Sequence, residues 1–203
     1  MALRFLALGD SYTIGEGVAP GERWPVQLAA RLCDEGVDIA DPQIVAKTGW
    51  TTDELAAAME VTDFTPPCDL VTLLIGVNNQ YRGRSVDEYR VQFRALLQRA
   101  IALAGGNSAH VITVSIPDWG VTPFAVREGR DAAQIAREID AFNAAAHAAA
   151  AQERAHWLDV TTISRATGSR GELVGDGLHP SGVQYARWVE AILPVAREAL
   201  LGD

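Results

Sequence analysis

The sequence predicts an α/β fold of three layers, a parallel sheet of five strands covered by helices on both faces. Short β-branched apolar runs alternate with helical stretches along the chain, and the residues able to do chemistry gather just after the runs. Strands buried on both faces read as continuous apolar segments rather than alternating ones. A right-handed crossover between parallel strands carries its helix over the sheet, so this alternation implies helices above and below.

The elements follow in order. Leu3–Leu8, Gln43–Lys47, Leu70–Ile75, His110–Ile116 and Ala155–Val160 have the length and composition of such strands. Between the first two, Trp24–Glu35 reads as a helix with Pro25 in its first turn, where a missing N–H is harmless, and Gly36 at its end. Thr51-Thr-Asp-Glu54, Ser85-Val-Asp-Glu88 and Ser181-Gly-Val-Gln184 carry the spacing of a capping box and mark helix starts. Asp131–Gln152 is alanine-rich and helical by propensity. No repeat or linker divides the chain, and 203 residues, 48% of them hydrophobic, suffice for a single domain spanning 1–203 with one core.

Charge and cysteine content narrow the function classes. A formal charge of −9 disfavours nucleic acid and anionic lipid as partners. Cys33 and Cys68 lack metal-ligand spacing and read as buried free thiols. The apolar start Leu3–Leu8 is too short for a signal peptide, and no run is long enough to span a bilayer, so a cytoplasmic protein without membrane partner is expected.

In parallel sheets of this kind, ligands bind beyond the carboxyl ends of the strands, where strand order reverses. Ser11 follows the first predicted strand in Gly9-Asp10-Ser11, Gly49 the second, and Asn78 the third. His179 lies in the long connection after the fifth, within Asp176-Gly-Leu-His179-Pro-Ser. With strand order 2-1-3-4-5 that connection must cross roughly 15 Å, which its length allows.

A serine hydroxyl attacks only when a base takes its proton, and an imidazole serves best when a carboxylate fixes its tautomer. The three-residue step from Asp176 to His179 lets the acid reach one ring nitrogen while the other faces Ser11, although a loop that merely satisfies its own backbone has the same spacing. Acyl transfer also needs donors for an oxyanion. Gly49 and Asn78 can supply them, and each reads equally well as a turn former.

Taken together and in this order, Gly9-Asp10-Ser11, Gly49, Gly76-Val77-Asn78 and Asp176-x-x-His179 resemble the SGNH (GDSL-type) esterase/lipase family over nearly the whole chain. The resemblance implies a flavodoxin-like fold, Ser11 as nucleophile, His179 as base and Asp176 as its orienting acid. It also implies an oxyanion hole formed by the Ser11 and Gly49 N–H groups and the Asn78 side chain. Tyr12 stands where the family usually has leucine, and Asn79 where many members have aspartate, so no subfamily follows.

Trp50, Asn79, Tyr81 and Trp119 are expected around the substrate, aromatic walls with a few amides suiting a partly polar ester. Gly120–Asp131 is the candidate mobile flap, and no insertion resembles a lid over a long acyl site. The expected activity is hydrolysis of a small-molecule ester of short acyl chain through an acyl-enzyme, without metal or organic cofactor. A thioesterase or lysophospholipase activity, a carbohydrate O-acetylesterase and a glycan-binding module on the same fold are the alternatives. A metallophosphoesterase would need Asp-x-His and Gly-Asn-His companions that are missing, and a phosphoacceptor module lacks a lysine after the fifth strand. Asp10 is expected to bond its own turn, Asp118 to cap a loop or touch substrate, and His110, His147 and His156 to be structural. Oligomeric state is not encoded in any of these features.

Overall fold

A computed structural model describes residues 2–167 and 172–202. Strands β1 (Phe5–Gly9), β2 (Gln43–Ala46), β3 (Leu70–Leu74), β4 (Val111–Val114) and β5 (His156–Leu158) form one parallel sheet in the order β2-β1-β3-β4-β5. The order and direction match the sequence reading. β1, β3 and β4 are buried along their whole length, whereas the edge strands β2 and β5 are partly covered, which accounts for their shorter apolar runs. His110 closes a 3-10 turn before β4 instead of opening the strand.

Helix α1 (Ser11–Ile14) leaves β1 directly, and α2 (Trp24–Asp34) returns to the sheet. Next come α3 (Thr52–Glu60), α4 (Val77–Tyr81), α5 (Val86–Leu103), α6 (Pro123–Arg127), α7 (Ala132–Glu153), α8 (Thr161–Thr167) and α9 (Gly182–Leu201). Going from β1 out to β2 and then back across to β3 reverses the direction of travel. Right-handed crossovers therefore put α2 on one face and α3, α5 and α7 on the other. α9 packs on α2, and α5 packs on both α3 and α7.

The expected caps are present: Ser85 and Ser181 accept from the N–H groups of Glu88 and Gln184, and Thr51 shares a capping box with Glu54. The alanine-rich α7 buries Ile135, Ile139, Phe142, Ala146 and Ala149 at helical spacing, a stripe whose small members let α5 approach closely. Trp188, Tyr185 and Ile192 do the same for α9 against the sheet.

Three expectations change. The connection after β5 is not loop throughout, because Thr161–Thr167 forms α8. Cys68 is buried, but Cys33 is exposed, lying one residue past the buried Leu32 on α2 and so turned off the packed face; both thiols are free. The segment Gly120–Asp131 contains the structured α6. Among the described residues no helix is long and apolar enough to cross a membrane.

Candidate active site

β1 has β2 on one side and β3 on the other, so the turns after these strands meet at one crevice. There, Ser11, Tyr12, Thr48, Gly49, Val77, Asn78, Tyr81, Trp119, Phe124, Leu178 and His179 line a cavity of about 190 Å³. Ser11, Gly49, Asn78 and His179 come from four separate connections.

Asp10 builds the first turn. Its Oδ1 accepts from the Tyr12 N–H at 3.1 Å, capping α1. The Ser11 N–H, in front of that bond, finds no acceptor among the described residues and stands at the cavity. Asp10 is fully buried, and this burial pushes its carboxyl up to about 7 against the opposing pull of the Tyr12 and Gly76 N–H groups.

The acid and the imidazole sit in a tight turn. Asp176 Oδ1 accepts from the Leu178 N–H at 2.8 Å and the His179 N–H at 3.0 Å, and Oδ2 lies 2.6 Å from His179 Nδ1. The turn needs Gly177, whose φ of 69° falls in the left-handed region. Burial works against the charge on Asp176. The imidazole and the two N–H groups outweigh it, holding the carboxyl below its ordinary value. His179 is 7% exposed, and the rim of its loop is pinned by the Val174 N–H on His179 O at 2.9 Å. The Tyr12 ring packs 5.6 Å from the imidazole and 6.2 Å from Trp188. Ser11 and His179 share the cavity without a direct hydrogen bond between them.

Gly49, at φ 89°, presents an N–H without an acceptor among the described residues. Asn78, in the first turn of α4, donates one Nδ2 hydrogen to Trp50 O at 2.9 Å and keeps a second for another acceptor. Three donors thus border one cavity that also holds a hydroxyl and an imidazole. That combination suits attack on an acyl carbon and stabilisation of the resulting oxyanion.

The rest of the lining is apolar and aromatic. Trp119 is buried, and its Nε1–H donates to Gln80 Oε1 at 2.8 Å while Gln80 Nε2 donates to Glu138 at 2.6 Å, which fixes the indole as a rigid wall. Tyr81 and Phe124 lie 5.4 and 6.1 Å from it. α6 carries Phe124 and also grips the acid's loop. The Phe124 N–H donates to Gly177 O at 3.0 Å, and Arg127 Nη2 donates to Asp176 O.

Two expected pocket residues lie elsewhere. Asn79 is fully buried on the far side of α4, accepting from the Thr52 N–H at 3.1 Å and donating to Thr52 Oγ1 at 2.7 Å. One further step along α4 turns Asn79 about 100° from Asn78, off the cavity and onto Thr52. Trp50 packs half-buried against the core, and only its carbonyl serves the site, because the turn closed by its N–H on Lys47 O leaves Thr48 and Gly49 at the rim. Asp118 caps the turn at Gly120 and pairs with Arg165 at 2.8 Å, away from the cavity. His147 stacks on Trp157 at 5.1 Å. Thr48, Val77, Phe124 and Leu178 were not anticipated. Their signal was position, since Val77 and Leu178 sit inside the motifs and Phe124 inside the proposed flap.

The sequence profile described as the GDSL-like lipase/acylhydrolase family matches residues 7–187. Esterase TesA of Pseudomonas aeruginosa is 25% identical over 202 residues, covering 98% of this chain and 90% of that protein. Among solved structures, TesA superimposes with a TM-score of 0.72 at 24% identity, over 97% of this chain and 99% of that one. An acetyl xylan esterase of Geobacillus stearothermophilus, Axe2 in its W215I form, does so at 0.73 and 19%, over 96% and 94%.

Proposed function

Because the chain belongs to the GDSL-like lipase/acylhydrolase family and is a carboxylic ester hydrolase, we propose that it acts as a serine esterase on short-chain esters through an acyl-enzyme. One observation carries this reading: Ser11, His179 and three hydrogen-bond donors border the same small cavity, with Asp176 bonded to the imidazole's far nitrogen.

In this mechanism Ser11 Oγ attacks the ester carbonyl as His179 takes its proton, and the oxyanion is held by the Ser11 and Gly49 N–H groups and Asn78 Nδ2. His179, steadied as imidazolium by Asp176, gives the proton to the leaving alcohol. Water, deprotonated by the same base, then frees the acid. The acyl group fills the space between Val77, Tyr81, Trp119, Phe124 and Leu178, and a volume of about 190 Å³ favours short chains.

The test is hydrolysis of p-nitrophenyl acetate, butyrate and octanoate by the parent and by Ser11→Ala with EDTA present. Loss of turnover with Ser11→Ala and a rate falling toward octanoate are expected. Activity indifferent to Ser11 would overturn the mechanism, and equal rates on acetate and octanoate would overturn the chain-length reading.

A further inference from the structure

We infer that Arg82 is a positioning residue for the oxyanion hole, acting through the backbone of Gly49; the inference rests on Gly49 being an oxyanion donor. Gly49 has no side chain to anchor it, and an added Cβ would meet only Arg82 Nη2, at 3.9 Å. Its orientation must therefore come from the peptides on either side.

Both following peptides are held at both ends. The unit between Gly49 and Trp50 donates its N–H to Lys47 O at 3.2 Å, and its carbonyl accepts from Arg82 Nη2 at 2.7 Å. The unit between Trp50 and Thr51 has its carbonyl on Asn78 Nδ2 at 2.9 Å and its N–H on Glu54 Oε2 at 2.9 Å. Arg82 Nη1 closes the bracket on that same Glu54 oxygen at 3.2 Å. In front of Gly49, Thr48 Oγ1 donates to Glu16. Among the described residues, the one backbone donor of Gly49 and Trp50 left without an acceptor is the Gly49 N–H, at the cavity.

α4 therefore serves the site twice, with Asn78 at its start and Arg82 just past its end, one turn apart on the same face. A guanidinium suits the task because one nitrogen can hold the carbonyl while the other holds the carboxylate; an ammonium is a single point. Preorganised donors work because they need no reorientation as charge develops, so a loosened Gly49 weakens transition-state binding more than substrate binding.

The experiment compares the parent with Arg82→Ala and Arg82→Lys on p-nitrophenyl acetate. Expected is a fall in kcat of about ten- to a hundredfold for Arg82→Ala with KM little changed, and only partial recovery in Arg82→Lys. The Arg82 side chain is 44% exposed, so guanidinium ion at tens of millimolar should reach the vacated space and restore part of kcat in Arg82→Ala, while sodium chloride at equal ionic strength should not. A kcat within twofold of the parent, a loss confined to KM, or no rescue by guanidinium would each overturn the inference. Ser11→Ala and Asn78→Ala separate the two levels. If both lose activity and Arg82→Ala does not, Arg82 alone is wrong; if Asn78→Ala keeps full activity, the oxyanion reading itself fails.

Discussion

Asp176→Asn changes one atom of the site and leaves its scaffold in place. Two N–H donors, from Leu178 and His179, point at Oδ1 at 2.8 and 3.0 Å, so the oxygen of the introduced amide must stay on that side. Its NH₂ then occupies the Oδ2 position, 2.6 Å from His179 Nδ1, and can only donate. Nδ1 becomes an acceptor, the ring proton moves to Nε2, and the nitrogen left for Ser11 can no longer take a proton. Such a tautomer inversion lowers turnover by about 10⁴, or about 5 kcal/mol in the barrier. The two loop hydrogen bonds survive, so the denaturation midpoint should move little. The assay is kcat on p-nitrophenyl acetate beside a urea unfolding curve. A loss below tenfold in a folded variant would refute the argument that Asp176 sets the tautomer of His179.

Other outcomes follow from the walls and the buried acid. Phe124→Ala opens the aromatic side of the cavity while keeping the backbone bond to Gly177, so the ratio of kcat/KM for octanoate over acetate should rise tenfold or more, at about 0.8 kcal/mol per methylene newly buried. An unchanged ratio would remove Phe124 from the acyl site. Asp10, raised from 3.8 to about 7 in the folded protein, keeps a proton that the unfolded chain has already released. Stability contributed by this group is thus greatest at low pH and falls as pH rises through that interval. Relative to the parent, Asp10→Asn should gain up to about 4 kcal/mol between pH 4 and pH 8, read from urea midpoints. A gap independent of pH would show that the carboxyl titrates normally.

The sheet was legible because its central strands are buried on both faces, which writes them as unbroken apolar runs, and because Ser11, Gly49 and Asn78 each closely follow one strand of the sheet. Ser11, Gly49, Asn78 and His179 converge as the strand order requires. The walls were harder to read. Asn79 and Asn78 are indistinguishable by type, and only the turn of α4, a five-residue helix too short to leave a periodic pattern, separates a cavity residue from a buried anchor. Trp50 looked like a pocket aromatic, yet a turn of four residues exposes Gly49 and tucks the indole inward. Arg82 left no signal at all, since the partner that ties it to Gly49 is a backbone carbonyl and backbone carbonyls occur at every residue.

α6 presses Phe124 against the cavity and, through the Phe124 N–H and the Arg127 side chain, holds the carbonyls of Gly177 and Asp176. In the proposed mechanism, selectivity and proton transfer are thereby mounted on one bracket. Divergence toward bulkier esters by lengthening or swapping this segment would shake the base as it widened the pocket, so new substrate range is reached most cheaply through side chains on the present backbone. Loop grafts here should yield slow enzymes before they yield broad ones.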